Sequence, residues 1–237
     1  MRNEFKEYYQ NKEVADSYDS QRFRGFKGQV VRNLELTYAD WLTGKPKKQK
    51  ILEIGVGTGF ISKMLFSKGE FYGRDISEEM IKKTKKLLPG AKLSKGDILN
   101  LKKGERFDMI VTIRVISHFN REDALKALQS IKSILKENGT VVFNLENRSL
   151  FRRLMRKITK WGSTHTYQYS QKDIEALVEE AGLKQEEAFY LDHLFMLPLH
   201  VLNKVLFDRL EKPIVKLELN MKHISYFSNN SFLRCRM

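Results

Sequence analysis

The chain has 237 residues, 41% hydrophobic and 30% charged, a globular balance that excludes disordered and collagen-like classes. Its 43 Lys and Arg against 29 Asp and Glu give a formal charge of +14, which suits polyanionic partners but equally describes a solvated lysine-rich surface. The single cysteine, Cys235, excludes an internal disulfide framework and a cysteine-built zinc cluster, and fits a reducing compartment.

The first twenty residues mix charge with aromatics and show no signal-peptide core. No run nears the ~18 apolar residues of a membrane span. A cytoplasmic protein without a transmembrane segment is therefore expected.

In chain order, residues 1–44 read as mostly helical, with apolar positions near 3.6 spacing in QVVRNLELTYADWL. The basic KPKKQK at 45–50 leads into a short strand at 50–54, ended by the glycine-rich VGTGF. A helix-compatible ISKMLFSKG follows, then a strand at 71–76, a helix at 77–88 and a brief strand within 91–98. RFDMIVTIRVI (106–116) predicts a buried strand and 121–136 a helix, ended by Asn138-Gly139 before the strand TVVFNL. Strands alternating with helices imply βαβ units and a parallel sheet. Further on, 149–161 reads as an amphipathic basic helix and 170–182 as a helix capped by Ser170 and Gly182. A strand at 183–191, an apolar helical insertion at 193–210 and a closing hairpin over 223–237, turning at Asn229-Asn230, complete the reading.

The clearest chemical signal is Glu53-Ile54-Gly55-Val56-Gly57-Thr58-Gly59, directly after the first strand. Alternate glycines let a strand-to-helix turn meet a ligand with bare backbone, and the next helix start presents amide donors to it. Phe60 breaks the dinucleotide fingerprint, and the Gly-Lys-Ser/Thr of a phosphate-cradling loop is missing. Asp75 ends the second strand, where sheet topology sets an acid opposite the glycine turn, able to accept two hydrogen bonds from a ribose diol. Asp97, after the third strand, is placed either to accept from an adenine amino group or to cap the next turn.

Taken in order, ILEIGVGTG (51–59), GRDIS (73–77), GDIL (96–99), FDMIVTIRVISHF (107–119) and LKENGTVVF (135–143) resemble the class I S-adenosylmethionine-dependent methyltransferases. The likeness covers about residues 50–145 motif by motif and extends loosely to the C-terminus. It implies an α/β, doubly wound, seven-stranded, mostly parallel sheet of the Rossmann-like methyltransferase type, with its last strand antiparallel. N-terminal helices and a helical insertion near the C-terminus would flank it. One domain over 1–237 then comprises a helical cap (1–49), a cofactor-binding core (50–148), substrate-side helices with a sixth strand (149–222) and a closing strand or hairpin (223–237). The cofactor would be S-adenosyl-L-methionine and the product S-adenosyl-L-homocysteine. The chain departs from many relatives at Val56, where they carry Cys or Ala, but only the backbone matters there.

Carried over by position, the resemblance has Glu53, Gly55 and Gly57 lining the methionine moiety and Asp75 holding the ribose hydroxyls. Ile76 and Met80 would lie against the adenine, with Asp97 and Ile98 at its edge. Ile113, Arg114 and Val115 would form the floor beneath the sulfonium. VADSYDSQRFRG (14–25) is similar to the segment that many members fold over the cofactor. There Tyr18 is the candidate contact, with helix packing as its alternative, and Arg24 is placed to reach the methionine carboxylate. His118 follows the fourth strand, where the methyl group should point. An imidazole there suits proton abstraction from a hydroxyl or amine, or else it caps the following helix or orients its loop. Glu146 and Asn147, after the fifth strand, are further candidates for substrate contact. No metal ligands are expected.

TIRVIS stands where adenine amino-methylating enzymes carry Asn/Asp-Pro-Pro-Tyr, and no cysteine lies near the site for an adduct at pyrimidine C5. A small-molecule or lipid-like acceptor is the expectation, and an RNA acceptor the alternative. The basic face at 149–161 would serve an anionic membrane or RNA surface, or simply a solvated lid helix. The insertion at 193–210 would roof a greasy pocket, form a dimer contact or join the core.

Overall fold

The fold comes from a computed structural model that describes residues 3–101, 104–148, 166–191, 211–220 and 230–237. Three helices open the chain, α1 (Asn3–Gln10), α2 (Lys12–Arg22) and α3 (Gly25–Thr43). Strands and helices then alternate through β1 (Lys50–Ile54), α4 (Phe60–Phe66), β2 (Glu70–Asp75), α5 (Glu78–Leu87) and β3 (Lys92–Lys95). They continue through β4 (Phe107–Thr112), α6 (Arg121–Ile134) and β5 (Leu135–Asn147). A two-residue β6 (Gln168–Tyr169), α7 (Gln171–Glu180), β7 (Lys184–Leu191), α8 (Glu211–Asn220) and β8 (Asn230–Arg236) complete the described elements.

The sheet runs β3-β2-β1-β4-β5-β8-β7, with β6 beside the end of β5. β1 to β5 are mutually parallel, and β8 lies antiparallel to both β5 and β7. This is the expected seven-strand arrangement with an eighth added: Gln168 and Tyr169 pair with Glu146 and Asn147. Two residues are too few to carry a period in the sequence.

Period-two alternation distributes the core to both faces of the sheet. Leu52, Ile54, Phe107 and Ile110 pack with Ala124, Leu128 and Ile131 of α6 and Ile174 and Leu177 of α7. Ile51, Met109, Val111 and Val142 pack on the other face with Leu34, Tyr38 and Leu42 of α3 and Ile61 and Leu65 of α4. Strands buried on both faces are what an all-parallel centre requires. The helix starts are chemically marked. Ser77 accepts from the Met80 amide, Asn120 from Asp123, and Ser170 forms a capping box with Asp173. Gly182 takes a left-handed φ of 67° just beyond α7, as its place in the sequence implies.

Three boundaries differ from the expectation. α6 ends at Ile134, and Asn138-Gly139 falls inside β5, because Leu135 already pairs with Phe107 while Thr140 pairs with Met109. The intervening residues bulge, with Asn138 at φ 61°. β4 stops at Thr112 rather than 116, since Arg114 turns to φ 63° and gives its amide to Asn144 Oδ1 at 2.6 Å. Asn230 is already within β8, not in a turn. The remainder of the expected hairpin, the basic helix at 149–161 and the insertion at 193–210 lie outside the described residues. Among the described residues no helix is long and apolar enough to cross a membrane. Cys235 is buried in β8, and burial pushes its thiol up to about 12.

Candidate active site

Strand order reverses between β1 and β4, and the crevice at such a switch point is where a doubly wound sheet takes its ligand. The glycine turn occupies it. Gly55, Gly57 and Gly59 have φ of 82°, 53° and 88°, a region open to glycine at little cost. A side chain at Gly55 would also run into Val115 Cγ2.

Asp75 faces this turn as the topology required. Its Oδ2 accepts from the Gly57 amide at 2.9 Å and its Oδ1 from the Ser77 amide at 2.8 Å. Burial raises its carboxyl from the ordinary value, although the Ser77, Gly57 and Ile76 amides pull it back. Glu53 is buried beside it. Its Oε2 accepts from Ser62 Oγ at 2.5 Å, and burial, opposed by that hydroxyl and aided by the Asp75 charge, pushes its carboxyl up to about 8. Among the described residues neither acid is salt-bridged. Two buried acids without an ion-pair partner among the described residues suit a ligand that brings positive charge.

One cavity of about 150 Å³ gathers Tyr18, Glu53, Gly55, Gly57, Asp75, Ile76 and Met80 with Asp97, Ile98, Ile113, Arg114, Val115 and His118. Of the cofactor and catalytic residues read from the sequence, Arg24 stays apart. It occupies the N-cap position of α3 without a side-chain capping bond and is exposed, next to left-handed Gly25. Of the two acceptor candidates, Glu146 lines a second cavity described below and Asn147 lines neither, its Oδ1 accepting from Ser231 Oγ at 2.6 Å. Asp97 does cap: its Oδ1 accepts from the Leu99 amide at 3.0 Å, and it lines the cavity as well. His118 ends a 3-10 turn over Ile116–His118 and is not the cap of α6, which is Asn120.

Several site residues escaped the sequence. Tyr9 of α1 meets His118 Nε2 through its hydroxyl at 3.2 Å, their rings 5.5 Å apart. Burial raises the Tyr9 phenol well above its usual value, so it remains neutral. Glu35 of α3 receives the Arg114 guanidinium through both oxygens, with Nε at 3.0 Å from Oε1 and Nη2 on Oε2. Asp19 of α2 accepts from Thr58 Oγ1 at 2.8 Å, and Asp16 pairs with Lys83 at 2.8 Å, fastening α2 across the glycine turn and α5. The aromatic-rich KEYYQNKEVADSYDS was the one local sign of the Tyr9 contact; Glu35 carried none. A second cavity of about 500 Å³ shares the wall made by Tyr9, Tyr18, Glu35, Arg114 and His118, and extends to Arg22, Ser117, Asn144, Glu146 and Thr166.

Residues 51–139 match the methyltransferase-domain family. An uncharacterized methyltransferase from Alkaliphilus oremlandii (strain OhILAs) is 34% identical over 119 residues, 48% of this chain and 55% of the relative. The chain thus spans only about half the length of that relative. Another, from Geobacillus sp. (strain WCH70), is 31% identical over 161 residues, 65% of this chain and 75% of the relative. Among solved structures, magnesium protoporphyrin IX methyltransferase from Synechocystis PCC 6803 with bound S-adenosylhomocysteine superposes with a TM-score of 0.69 at 16% identity, covering 100% of this chain and 99% of that one. An S-adenosylmethionine-dependent methyltransferase from Clostridium acetobutylicum ATCC 824 gives 0.63 at 14% identity, over 95% and 98%. At such identities the structures speak for the fold alone. Joined to a relative matched over most of its length, they settle the kinship: the chain belongs to the class I S-adenosylmethionine-dependent methyltransferases.

Proposed function

We propose that the protein transfers a methyl group from S-adenosylmethionine to O, N or C of a small-molecule or lipid-like acceptor seated in the larger cavity. The observation that carries this reading is the shared wall, in which Tyr9, Tyr18, Arg114 and His118 face both the donor crevice and the larger cavity.

The donor, when bound, supplies a methyl group already activated on a sulfonium, so the chain has to hold, align and exclude water. Asp75 holds the ribose diol, and the bare backbone of Gly55 and Gly57 allows close approach. Glu53 faces the amino end of the donor, with Ile76, Met80 and Ile98 around the base. α1 and α2 cover the crevice and keep water from it. His118 takes the proton from an acceptor hydroxyl or amine, its ring oriented by the Tyr9 hydroxyl.

Incubation with methyl-labelled donor and fractionated cell extract tests this. Label is expected in the small-metabolite or lipid fraction and is expected to be lost with Asp75→Ala. Label confined to RNA would replace this reading by the RNA acceptor, and absence of label from every fraction would remove transfer altogether.

A further inference from the structure

Arg114 stands in the wall between the two cavities with one side of its guanidinium spoken for. Nε and Nη2 donate to Glu35, whose side chain is buried, and the Phe23 ring lies 4.8 Å from the guanidinium carbon. Nη1 is sealed from solvent and donates to no partner of its own among the described residues, with the Tyr18 hydroxyl also acting on the guanidinium. Buried donors without an acceptor are rare in folded proteins. Its backbone is unusual as well: φ is 63°, a conformation side chains seldom adopt, and it is fixed by the Asn144 side chain accepting the Arg114 amide. The fold therefore aims this side chain at some effort.

The charge pattern says at what. Glu35 and Arg114 line both cavities and pair with each other; outside that pair, the donor crevice carries the buried acids Glu53 and Asp75, matched to a cationic ligand. The larger cavity adds Arg22 to the shared Arg114. Its acids are engaged, Glu35 on Arg114 and Glu146 in accepting from Thr166 Oγ1 at 2.8 Å. We propose that Arg114 Nη1 anchors a carboxylate of the methyl acceptor, so that the substrates are acidic small molecules. This deepens the methyl-transfer reading above and rests on it.

The test uses the full chain saturated with S-adenosylhomocysteine, titrated calorimetrically with benzoate and separately with benzamide, its neutral isostere, both suited to the tyrosines of this wall. Benzoate is expected to bind about tenfold or more tightly than benzamide, the margin of a charge-assisted bond over a neutral one. In Arg114→Lys, which keeps a cation for Glu35, the preference should shrink to about twofold. The double variant Glu35→Gln/Arg114→Met, which leaves no buried charge unpaired, should show the same shrinkage. Because Arg114 also lines the donor crevice, affinity for S-adenosylhomocysteine can fall in both, but by less than about tenfold. Equal binding of the two probes to wild type, or a benzoate preference that survives both variants, would overturn the proposal. A loss of about tenfold or more in S-adenosylhomocysteine affinity would also overturn it, by assigning the guanidinium to the donor's own carboxylate. If wild type bound no S-adenosylhomocysteine at all, the methyl-transfer reading would fall first and this proposal with it.

Discussion

Asp75 does two things at once. Its oxygens order the glycine turn and the start of α5 through the Gly57 and Ser77 amides, and they are the acceptors a diol would meet. Asp75→Ala is expected to weaken S-adenosylhomocysteine binding by about 1.5–3 kcal/mol, the scale for hydrogen bonds to a charged acceptor. Calorimetry reads this directly, and an affinity within about twofold of wild type would place the diol elsewhere. Glu53 makes a different prediction, about pH. Its carboxyl sits near 8 in the folded chain against an ordinary 4.5, so the native state holds an extra proton between those values. The stabilisation tied to that proton is complete below the unfolded value and is lost as pH rises through the folded one. Thermal unfolding of the ligand-free protein should therefore show Tm falling from pH 5 toward 8 more steeply in wild type than in Glu53→Gln. Matching pH profiles would mean the acid is not as enclosed as it looks. For His118→Ala, turnover is expected to drop by about 100-fold or more, the usual contribution of a positioned base, with cofactor affinity spared. Tyr9→Phe should give a smaller loss in the same assay. If both variants turn over normally, proton abstraction by this pair is not part of the reaction.

At the level of elements, what the sequence disclosed was what local chemistry writes. Ser170, Asp173 and Gly182 bracket α7 because caps are short-range, and Ser170→Ala should cost about 1 kcal/mol in denaturant unfolding. A loss near zero would show the capping box to be redundant. The glycine turn and Asp75 were legible together because one rule of sheet topology brings the ends of β1 and β2 side by side. Tyr9 and Glu35 were not, since they reach His118 and Arg114 across 109 and 79 residues of chain. Nothing near them in sequence records how α1 and α3 lie on the sheet. The place of Arg24, apart from the cavity, was hidden for the same reason. Membership in the covering segment was readable, but the direction its side chain takes at the start of α3 was not. The early end of α6 was hidden too, because a bulge opposite Asp108 let β5 begin where helix spacing still continued.

Across the whole molecule, the cavity draws on α1, α2, α3 and the carboxyl ends of β1, β2 and β4, so a ligand bound there would touch segments far apart in the chain. Binding there should stabilise the fold as a unit. S-adenosylhomocysteine at 100 times its Kd contributes about 2.7 kcal/mol to the native state alone. For a chain of this size, at roughly 2–4 °C per kcal/mol, Tm should rise by about 5–10 °C. Asp75→Ala at the same absolute ligand concentration should lose most of that shift. Hydrogen exchange supplies the spatial check. Protection should deepen in α1 and α2 as well as in the glycine turn, because Asp19 joins Thr58 and Tyr9 joins His118 across the crevice. Were protection to deepen only at the glycine turn, the N-terminal helices would be packed on the core independently of the donor, and the wall they share with the larger cavity could not align an acceptor.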